Sequence, residues 1–349
     1  MAQEKSITFF DEIVFYDGYA KVGNQSLPEN VIRHRNDLVA KKLSESDIKN
    51  LGNTLKLKVS IKAACDNYDR LGSINLAFVP KNDTTYIPEK EQRIELGRFI
   101  TPFMNKNKMP DVVFFSFEID NILDVLKDSN LNEKYDFWIE FEVFGVPYAA
   151  QKQVSGCEGR TDVFVGTLEF ITNSKKLKTK DSYVLPLNFK DNLNNYSKEA
   201  TDESGKTVRN ITFNLPGSLT NAKLYLITSN HGANEQGEEY NRRNHFIYFD
   251  ENLKLTYKPG EETCEPYRKL NTQGNGIYEK TPKTNEEWQS FSNWCPGAII
   301  PTRVIELGNL NARQHTFKID VPDAVFKEGQ GYIPVSLYLQ GKITKKKIK

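Results

Sequence analysis

Apolar and polar residues alternate one by one along much of this 349-residue chain. In the run Leu55–Lys62, the apolar residues take every second position, and lysine or serine lies between them. Because successive side chains of a strand point to opposite faces, this pattern predicts a half-buried β-strand. Similar runs predict further strands at Ile74–Val79, Val112–Ile119, Phe137–Phe144, Val163–Ile171, Ile211–Leu215, Leu224–Ile227, Phe246–Phe249, Arg303–Leu307, Thr316–Val321 and Val335–Ile343.

Helical patterns are sparse in comparison. Asp120 is expected to cap a short helix whose apolar residues, Ile122, Leu123, Val125 and Leu126, point inward, and Asn36–Asn50 is a second helical candidate. Many short alternating strands without regularly interleaved helices predict antiparallel β-sandwiches, and therefore an all-β protein.

The best domain boundary is the polar, lysine-rich segment Thr172–Asp181, after which apolar patterning resumes. We therefore predict an N-terminal domain at residues 1–175 and a C-terminal domain at residues 176–349.

Charge and cysteine usage narrow the possible functions. Lys plus Arg (47) balance Asp plus Glu (46), so there is no electrostatic reason to bind nucleic acid, and no apolar run reaches the roughly 20 residues that span a bilayer. The four cysteines lie far apart without a C-x-x-C pair, which disfavours a thiolate metal site and leaves disulfides open.

Asp69 is the first candidate for chemistry, in the string Cys65-Asp-Asn-Tyr-Asp-Arg70 that follows a predicted strand. One interpretation is a turn with an exposed ion pair. The other is a carboxylate whose anionic form is favoured by the neighbouring guanidinium of Arg70, able to hold a water molecule or polarise an amide.

Glu140 and Glu142 lie two residues apart on one face of a strand, where they form either a solvated outer face or part of a hydrolytic or sugar-binding surface.

Two polar loops in the second half of the chain also carry candidate residues. The segment Ser229–Ile247 contains His231 and His245, but with only four histidines in the chain a site without metal is favoured. Trp288 and Trp294 flank the other loop, where a tryptophan either shields a disulfide or stacks on a sugar. A Cys264–Cys295 bridge would close a loop of roughly 30 residues, stabilise the fold by about 3 to 4 kcal/mol and require an oxidising compartment.

Four strings of the chain resemble the bacterial peptide:N-glycosidase F family, also called peptide-N4-(N-acetyl-β-glucosaminyl)asparagine amidase. The strings are Cys65-Asp-Asn-Tyr-Asp-Arg70, Leu96-Gly-Arg-Phe-Ile-Thr-Pro-Phe103, Gly237-Glu-Glu-Tyr240 and Trp294-Cys-Pro-Gly-Ala-Ile-Ile-Pro-Thr-Arg303. The resemblance implies two antiparallel eight-stranded jelly-roll β-sandwich domains packed side by side. It also implies hydrolysis of the bond between the asparagine side-chain nitrogen and the first N-acetylglucosamine of N-linked glycans, which leaves aspartate in the peptide.

The resemblance implies roles for individual residues. Asp69, Glu239 and Glu142 are the expected catalytic residues, although Glu140 is a rival for the place of Glu142. Expected substrate-binding residues are Tyr68, Arg70, Glu140, His231, Tyr240, Trp294 and Arg303. The resemblance further implies no cofactor, N-glycosylated peptides and glycoproteins as partners, a monomer, and secretion or export to the bacterial periplasm.

The chain departs from the family pattern at several positions. Ser229-Asn230 precede His231 where the family has Trp-Gly, and Phe291 takes the place of an arginine for which Arg268 or Arg243 is a possible substitute. Two short family disulfides are absent, and Cys65 is expected to pair with Cys157 instead. The main alternative function is a non-catalytic carbohydrate-binding β-sandwich that uses exposed Trp288 and Trp294 and the acidic loop. A glycosidase that uses two carboxylates is a third hypothesis.

Overall fold

A computed structural model describes residues 4–23, 25–83, 85–175, 182–193, 207–232, 238–326 and 331–344. Backbone contacts divide the chain into two compact units. The first unit comprises Met1–Lys180, Pro266–Thr281 and Pro296–Ile299, and the second comprises Asp181–Glu265, Pro282–Cys295 and Ile300–Lys349.

Strands account for most of the regular structure. They are β1 (Glu4–Tyr16), β2 (Val31–Arg35), β3 (Leu38–Lys42), β4 (Leu55–Ala63), β5 (Leu71–Pro80), β6 (Gln92–Ile100), β7 (Val112–Glu118), β8 (Tyr135–Val143), β9 (Asp162–Asn173), β10 (Tyr183–Asn192), β11 (Val208–Asn214), β12 (Leu219–Thr228), β13 (His245–Phe249), β14 (Asn252–Tyr257), β15 (Ile299–Ile300), β16 (Arg303–Leu310), β17 (Gln314–Asp320) and β18 (Pro334–Ile343). The helices are α1 (Glu45–Asn50), α2 (Asp120–Leu126), α3 (Ser129–Lys134), α4 (Ala150–Gln153) and α5 (Asn285–Gln289), with 3-10 turns at Pro88–Lys90, Glu238–Tyr240 and Glu265–Leu270.

The first unit contains two sheets whose inner faces share a core. One sheet has the strand order β1-β9-β4-β7, and the other has the order β15-β6-β5-β8-β3-β2. Phe15 of β1 contacts Phe141 of β8 edge-on at 5.1 Å between ring centroids, and Phe99 of β6 stacks on Phe115 of β7 at 4.3 Å. Each fully buried apolar side chain contributes roughly 1.5 to 3 kcal/mol, so this aromatic layer is a main source of the unit's stability.

The second unit follows the same plan. Its sheets have the orders β10-β18-β12-β16 and β11-β17-β13-β14. Leu224 and Leu339 of the first of these sheets belong to one buried cluster with Ile247 and Phe317 of the second. Both units are therefore built from antiparallel sheets around an apolar core, and the predicted all-β class is confirmed.

Strand prediction was successful wherever alternation was regular. Every predicted run overlaps a strand, and all four alternating apolar residues of Leu55–Lys62 are fully buried. The helix predicted at Asn36–Asn50 is largely wrong, because Leu38, Val39 and Ala40 are buried in β3 between β2 and β8, and only Glu45–Asn50 is helical. Three consecutive buried residues occur where both faces of a strand are covered, a pattern that resembles a helix segment in the sequence.

The helix predicted after Asp120 is present as α2, and its four apolar residues are buried as expected. Its capping was predicted wrongly. Ile119 is the residue before the helix, and the Asp120 carboxylate instead accepts a hydrogen bond from the Leu55 backbone N–H at 2.6 Å. The predicted linker begins inside β9, which continues to Asn173, and residues 176–181 lie outside the described part of the chain.

Both expected disulfides are present. Cys65 is bonded to Cys157, and Cys264 is bonded to Cys295, so no cysteine is free. Among the described helices, none has the length and apolarity needed to cross a membrane.

Candidate functional site

The turn that follows β4 carries the first candidate group, and several contacts hold it in place. The Cys65–Cys157 disulfide joins the turn to the segment that follows α4, and both cysteines are buried with Ala150 and Val154. The backbone N–H of Cys65 donates to the carbonyl of Asp162 at 3.0 Å, and the Asn67 side chain donates to Gln153 at 2.8 Å. These contacts fix the backbone on which Tyr68, Asp69 and Arg70 lie.

Asp66, which the sequence analysis did not select, is the central residue of this turn. Its carboxylate is 1% exposed and accepts hydrogen bonds from the backbone N–H groups of Tyr68 at 2.9 Å and Val146 at 2.7 Å. It also accepts Arg70 Nε at 2.6 Å, with Nη2 at 3.4 Å. Burial raises the pKa of Asp66, whereas Arg70 and the two backbone N–H groups lower it. The close approach depends on Gly145, where a Cβ would lie 2.8 Å from Val163 and 3.1 Å from Asp66 Oδ2.

The expected pairing of Arg70 with Asp69 is therefore replaced by an ion pair with Asp66. Arg70 is oriented by this pair, and its guanidinium carbon lies 5.4 Å from the centre of the Tyr68 ring and 5.9 Å from that of Phe144. Nη1 of Arg70 has no hydrogen-bond acceptor in the described part of the chain. Tyr68 is 44% exposed and also packs against Phe103, whereas Asp69 is half-buried.

The string Leu96–Phe103 supports the same turn. Its Thr101 donates its backbone N–H to the Arg70 carbonyl at 2.8 Å and accepts the Arg70 backbone N–H on its hydroxyl, also at 2.8 Å. Ile100 of the same string donates its backbone N–H to the Ala298 carbonyl, and its carbonyl accepts the Gly297 backbone N–H, both at 3.0 Å. Three of the four strings that resemble the family, those that contain Arg70, Thr101 and Gly297, are thus linked by hydrogen bonds, a relation that their spacing along the chain does not reveal.

Asp66→Asn is expected to lower the free energy of unfolding of the first unit by about 3 kcal/mol, because it leaves the partly buried Arg70 without its carboxylate partner. Urea unfolding followed by tryptophan fluorescence and circular dichroism measures the change. Asp136→Asn is the matched control, since Asp136 forms a more exposed pair with Lys42 in the same unit. Equal losses for the two variants would contradict a special role of Asp66.

Glu140 and Glu142 share one face of β8, but their surroundings differ. Glu140 is 0% exposed, so a solvated outer face is ruled out for it: its carboxylate accepts from Asn75 at 2.9 Å and from the Tyr86 hydroxyl, with Arg93 at 3.5 Å. Glu142 is partly exposed and is bound by Arg35 Nη2 at 2.7 Å. Burial lowers the pKa of Arg35, but Glu142 and Asp37 raise it above its usual value. Of the two rivals, Glu142 is the accessible carboxylate.

In the second unit, Glu239 lies in the 3-10 turn Glu238–Tyr240. Its carboxylate accepts the Gly232 backbone N–H at 3.3 Å, and its own backbone N–H donates to the Gly232 carbonyl. Burial raises the pKa of Glu239, while hydrogen bonds from the Tyr240 side chain and Gly232 lower it. The net direction is upward, which favours a carboxyl group that keeps its proton to higher pH than an exposed glutamate does.

Asn293 holds this turn and is a second residue that the sequence analysis missed. Its side-chain amide donates to the carbonyls of Glu238 at 2.6 Å, Glu239 at 2.8 Å and Asn241 at 3.0 Å. Next to Glu239, the Glu238 carboxylate is fully buried and accepts from Arg243 and from the Val325 backbone N–H. Gly237 of the family string lies outside the described residues.

His231 and Trp294 form one aromatic cluster near this turn. The His231 ring stacks on Tyr332 with 5.1 Å between centroids and lies 6.0 Å from Trp294, and its Nε2 is 2.7 Å from the Ser229 hydroxyl. Trp294 is only 4% exposed and donates its indole N–H to the Asn230 carbonyl at 2.9 Å. The expectation that Trp288 and Trp294 are exposed is wrong, since Trp288 is fully buried and donates to Glu265.

The remaining predicted binding residues are oriented by ring contacts. Tyr240 stacks on Phe291 at 5.2 Å, so the position of the missing family arginine is occupied by an aromatic pair. Arg303 lies over the Tyr257 ring at 3.7 Å, and burial lowers its pKa. The buried His245 stacks on the same Tyr257, and burial lowers the pKa of this histidine to about 4, so it is neutral at physiological pH.

Both arginines suggested as substitutes for the missing family arginine already bind other groups of the protein. Arg243 pairs with the buried carboxylate of Glu238, and Arg268 donates to the carbonyls of Glu279 and Thr281. In the described part of the chain, no group of three or more His, Cys, Asp or Glu side chains is placed to hold a metal ion. The metal-free site remains a prediction.

Fold and site together define an all-β protein of two units, each of which presents carboxylates in hydrogen-bonded turns and strands. Two family models match the chain: "Peptide-N-glycosidase F, N terminal" over residues 6–159 and "Peptide-N-glycosidase F, C terminal" over residues 195–340. The chain belongs to the peptide-N-glycosidase F family.

Solved structures agree with this assignment at the level of the fold. PNGF-II is similar with a TM-score of 0.69 and 22% identity, over 98% of this chain and 66% of that one, so the chain spans just under two thirds of the length of PNGF-II. Recombinant peptide:N-glycanase F gives a TM-score of 0.60 at 17% identity, over 97% of this chain and 96% of the other. PNGase F from Flavobacterium meningosepticum, described as a glycosylasparaginase, gives 0.60 at 15% identity, over 98% and 96%. No curated protein sequence matches the chain.

Proposed function

We propose that this chain is an amidase that hydrolyses the bond between an asparagine side-chain nitrogen and the first N-acetylglucosamine of an N-linked glycan. The supporting observation is the turn Cys65–Arg70, in which Asp69 follows a rigidly bound backbone and Arg70 keeps one guanidinium nitrogen, Nη1, for a ligand. Family membership and the description of the similar PNGase F structure as a glycosylasparaginase support the same activity.

In the proposed reaction, Asp69 accepts a proton from a water molecule that attacks the side-chain amide carbon of asparagine. Negative charge then develops on the amide oxygen, and Arg70 Nη1 is the donor that stabilises it. The carbon–nitrogen bond breaks, the leaving nitrogen takes up a proton, and the products are aspartate and a glycosylamine. Asp66 is a positioning residue in this scheme, because it holds Arg70 through Nε and Nη2.

Glu239 is proposed as the second catalytic carboxyl group. Its raised pKa keeps the carboxyl group protonated at a higher pH, so it is suited to donate a proton or a hydrogen bond during departure of the nitrogen. Glu142 is proposed as a third carboxylate that binds sugar hydroxyls, since its ion pair with Arg35 fixes its position and it remains partly exposed.

We predict that Glu239→Gln lowers kcat/KM by about 10²-fold, because an amide can donate a hydrogen bond but cannot transfer a proton. In the native protein, kcat/KM should fall as the pH rises through the raised pKa of Glu239, above the ordinary glutamate value. The variant should lose that descending limb in a pH–rate profile.

Glu306→Gln serves as the control for this pH profile, because Glu306 is an exposed partner of Lys223 in the same unit. Retention of both the rate and the descending limb by Glu239→Gln would exclude proton transfer by Glu239.

The other predicted binding residues are proposed to contact sugars or peptide. Tyr68 and Tyr240 offer accessible aromatic surface, whereas Trp294 is buried and is better suited to supporting His231 than to stacking on a sugar. Burial of Trp288 and Trp294 removes one of the two features on which the alternative of a non-catalytic carbohydrate-binding protein rested, and the acidic loop is the other. N-glycosylated peptides and glycoproteins are therefore the proposed substrates of a protein that acts as a monomer. Two disulfides agree with a secreted or periplasmic location.

Mass spectrometry of a defined N-glycopeptide after incubation with the purified protein tests the proposal. An amidase leaves aspartate at the former glycosylation site and releases the intact glycan. A glycosidase would leave N-acetylglucosamine on asparagine, and a binding protein would leave the glycopeptide unchanged, so either result would overturn the proposed activity.

A further inference from the structure

A lysine-lined depression in the first unit contains none of the candidate catalytic and substrate-binding residues. It has a volume of about 630 Å³ and is formed by the start of β1, helix α1, the residues after α2 and the end of β9. Four lysines line it, Lys5, Lys49, Lys127 and Lys175, against a single carboxylate, Glu45. The lining thus carries four positive charges and one negative charge, although the whole chain is close to neutral.

These four lysines differ from others in the same unit. Lys42, Lys56 and Lys58 each form an ion pair with a carboxylate on a neighbouring strand. Within the described part of the chain, none of the four ammonium groups of the depression has a carboxylate within 4.0 Å. Positive charges that face one cavity repel each other, and a bound anion would remove that repulsion.

Lys127 is the most enclosed of the four. It is partly buried, and its ammonium group donates to the backbone carbonyl of Leu51, which fixes the direction of the side chain. Burial lowers the pKa of Lys127, and the positive charge of Lys5 lowers it further, so the two cations act on each other across the depression. Ser129 and Ser174 also line the depression, and serine hydroxyl groups are neutral hydrogen-bond donors.

We propose that this depression binds a phosphate or sulfate ester group carried by a small polar molecule such as a monosaccharide. A tetrahedral oxyanion offers several oxygens to several ammonium groups at once. Its negative charge offsets most of the excess positive charge of the lining. The volume lies within the range of small-molecule sites, roughly 300 to 1,000 Å³. The site is independent of the proposed hydrolysis.

The geometry of β4 separates this depression from the candidate catalytic turn. Leu51 and Gly52, which line the depression, precede β4, and Cys65–Arg70 follow it. The nine residues of β4 make eight steps of about 3.4 Å, so the two places lie roughly 27 Å apart along the strand. Occupation of the depression should therefore leave amide hydrolysis unchanged.

Isothermal titration calorimetry on the full chain tests the proposal with three probes: glucose 6-phosphate, glucose 6-sulfate and unmodified glucose. We expect one or both esters to bind and glucose not to bind, and a preference between the esters identifies the anion. The variant Lys5→Gln/Lys127→Gln should weaken ester binding about tenfold or more, because two charged hydrogen-bond donors are lost.

The variant Lys56→Gln/Lys58→Gln is the matched control. It removes the same net charge from the same unit, but its lysines are paired with Glu118 and Glu169 outside the depression. Ester binding to the control should equal that of the native chain, and thermal unfolding should show that both variants are folded. Absence of ester binding, equal binding of glucose, or equal loss in the two double variants would overturn the proposal.

Discussion

Asp69→Asn is expected to lower kcat for glycopeptide hydrolysis by about 10²- to 10⁴-fold, the range lost when a general base is removed. Asparagine has nearly the same size as aspartate, but its side-chain amide cannot accept a proton from water. The backbone around position 69 is held by Asp66, Thr101 and the Cys65–Cys157 disulfide, so the substitution should leave the turn in place. Initial rates on a fluorescent N-glycopeptide, with the products identified by mass, measure the effect.

The interpretation of this result depends on stability and on a neighbouring variant. Asp69→Asn should unfold at nearly the native temperature, whereas Asp66→Asn should lower both stability and activity, because it releases Arg70. A folded Asp69→Asn protein with native kcat would exclude Asp69 as the general base and would leave the amidase proposal without its central residue.

Removal of the Cys65–Cys157 disulfide, as Cys65→Ala/Cys157→Ala, is expected to have the largest effect on stability. The bridge joins residues 92 positions apart, for which the chain-entropy model gives about 4.6 kcal/mol. It also links the candidate catalytic turn to the segment that follows α4, so we expect activity to fall together with the free energy of unfolding. Urea unfolding of the non-reduced proteins measures the loss.

Cys264→Ala/Cys295→Ala is the matched comparison within the same chain. This bridge spans only 31 positions, and the same model gives about 3.7 kcal/mol. A smaller loss for the Cys65–Cys157 variant than for this one would show that loop entropy does not govern the contribution of the long bridge. Native activity of the Cys65→Ala/Cys157→Ala variant would show that hydrogen bonds alone hold the turn.

Much of the fold could be predicted from local patterns. The alternation in Leu55–Lys62 identifies a strand and the side that it buries, because a strand's side chains change face at every residue. The same reasoning failed at Leu38–Lys42, where neighbours on both sides of β3 bury consecutive residues. Whether one face or both faces of a strand are buried depends on strands that are distant in sequence, so the local pattern of residues does not reveal it.

The candidate site shows the same division. The sequence by itself determined that Asp69, Arg70, Glu142 and Glu239 are candidates, because the family strings contain or align with them. Only the tertiary structure decided that Arg70 pairs with Asp66, that Glu140 is buried against Tyr86, and that Trp294 is not exposed.

The sequence does not reveal these contacts, because the groups that meet are far apart along the chain. Val146 donates to Asp66 from 80 residues away, and Asn293 holds Glu239 from 54 residues away. Residue type and spacing determined which side chains are capable of the chemistry. Burial and hydrogen bonding between distant segments decided the partners of those side chains and raised the pKa of Glu239, since both arise only when the sheets are assembled.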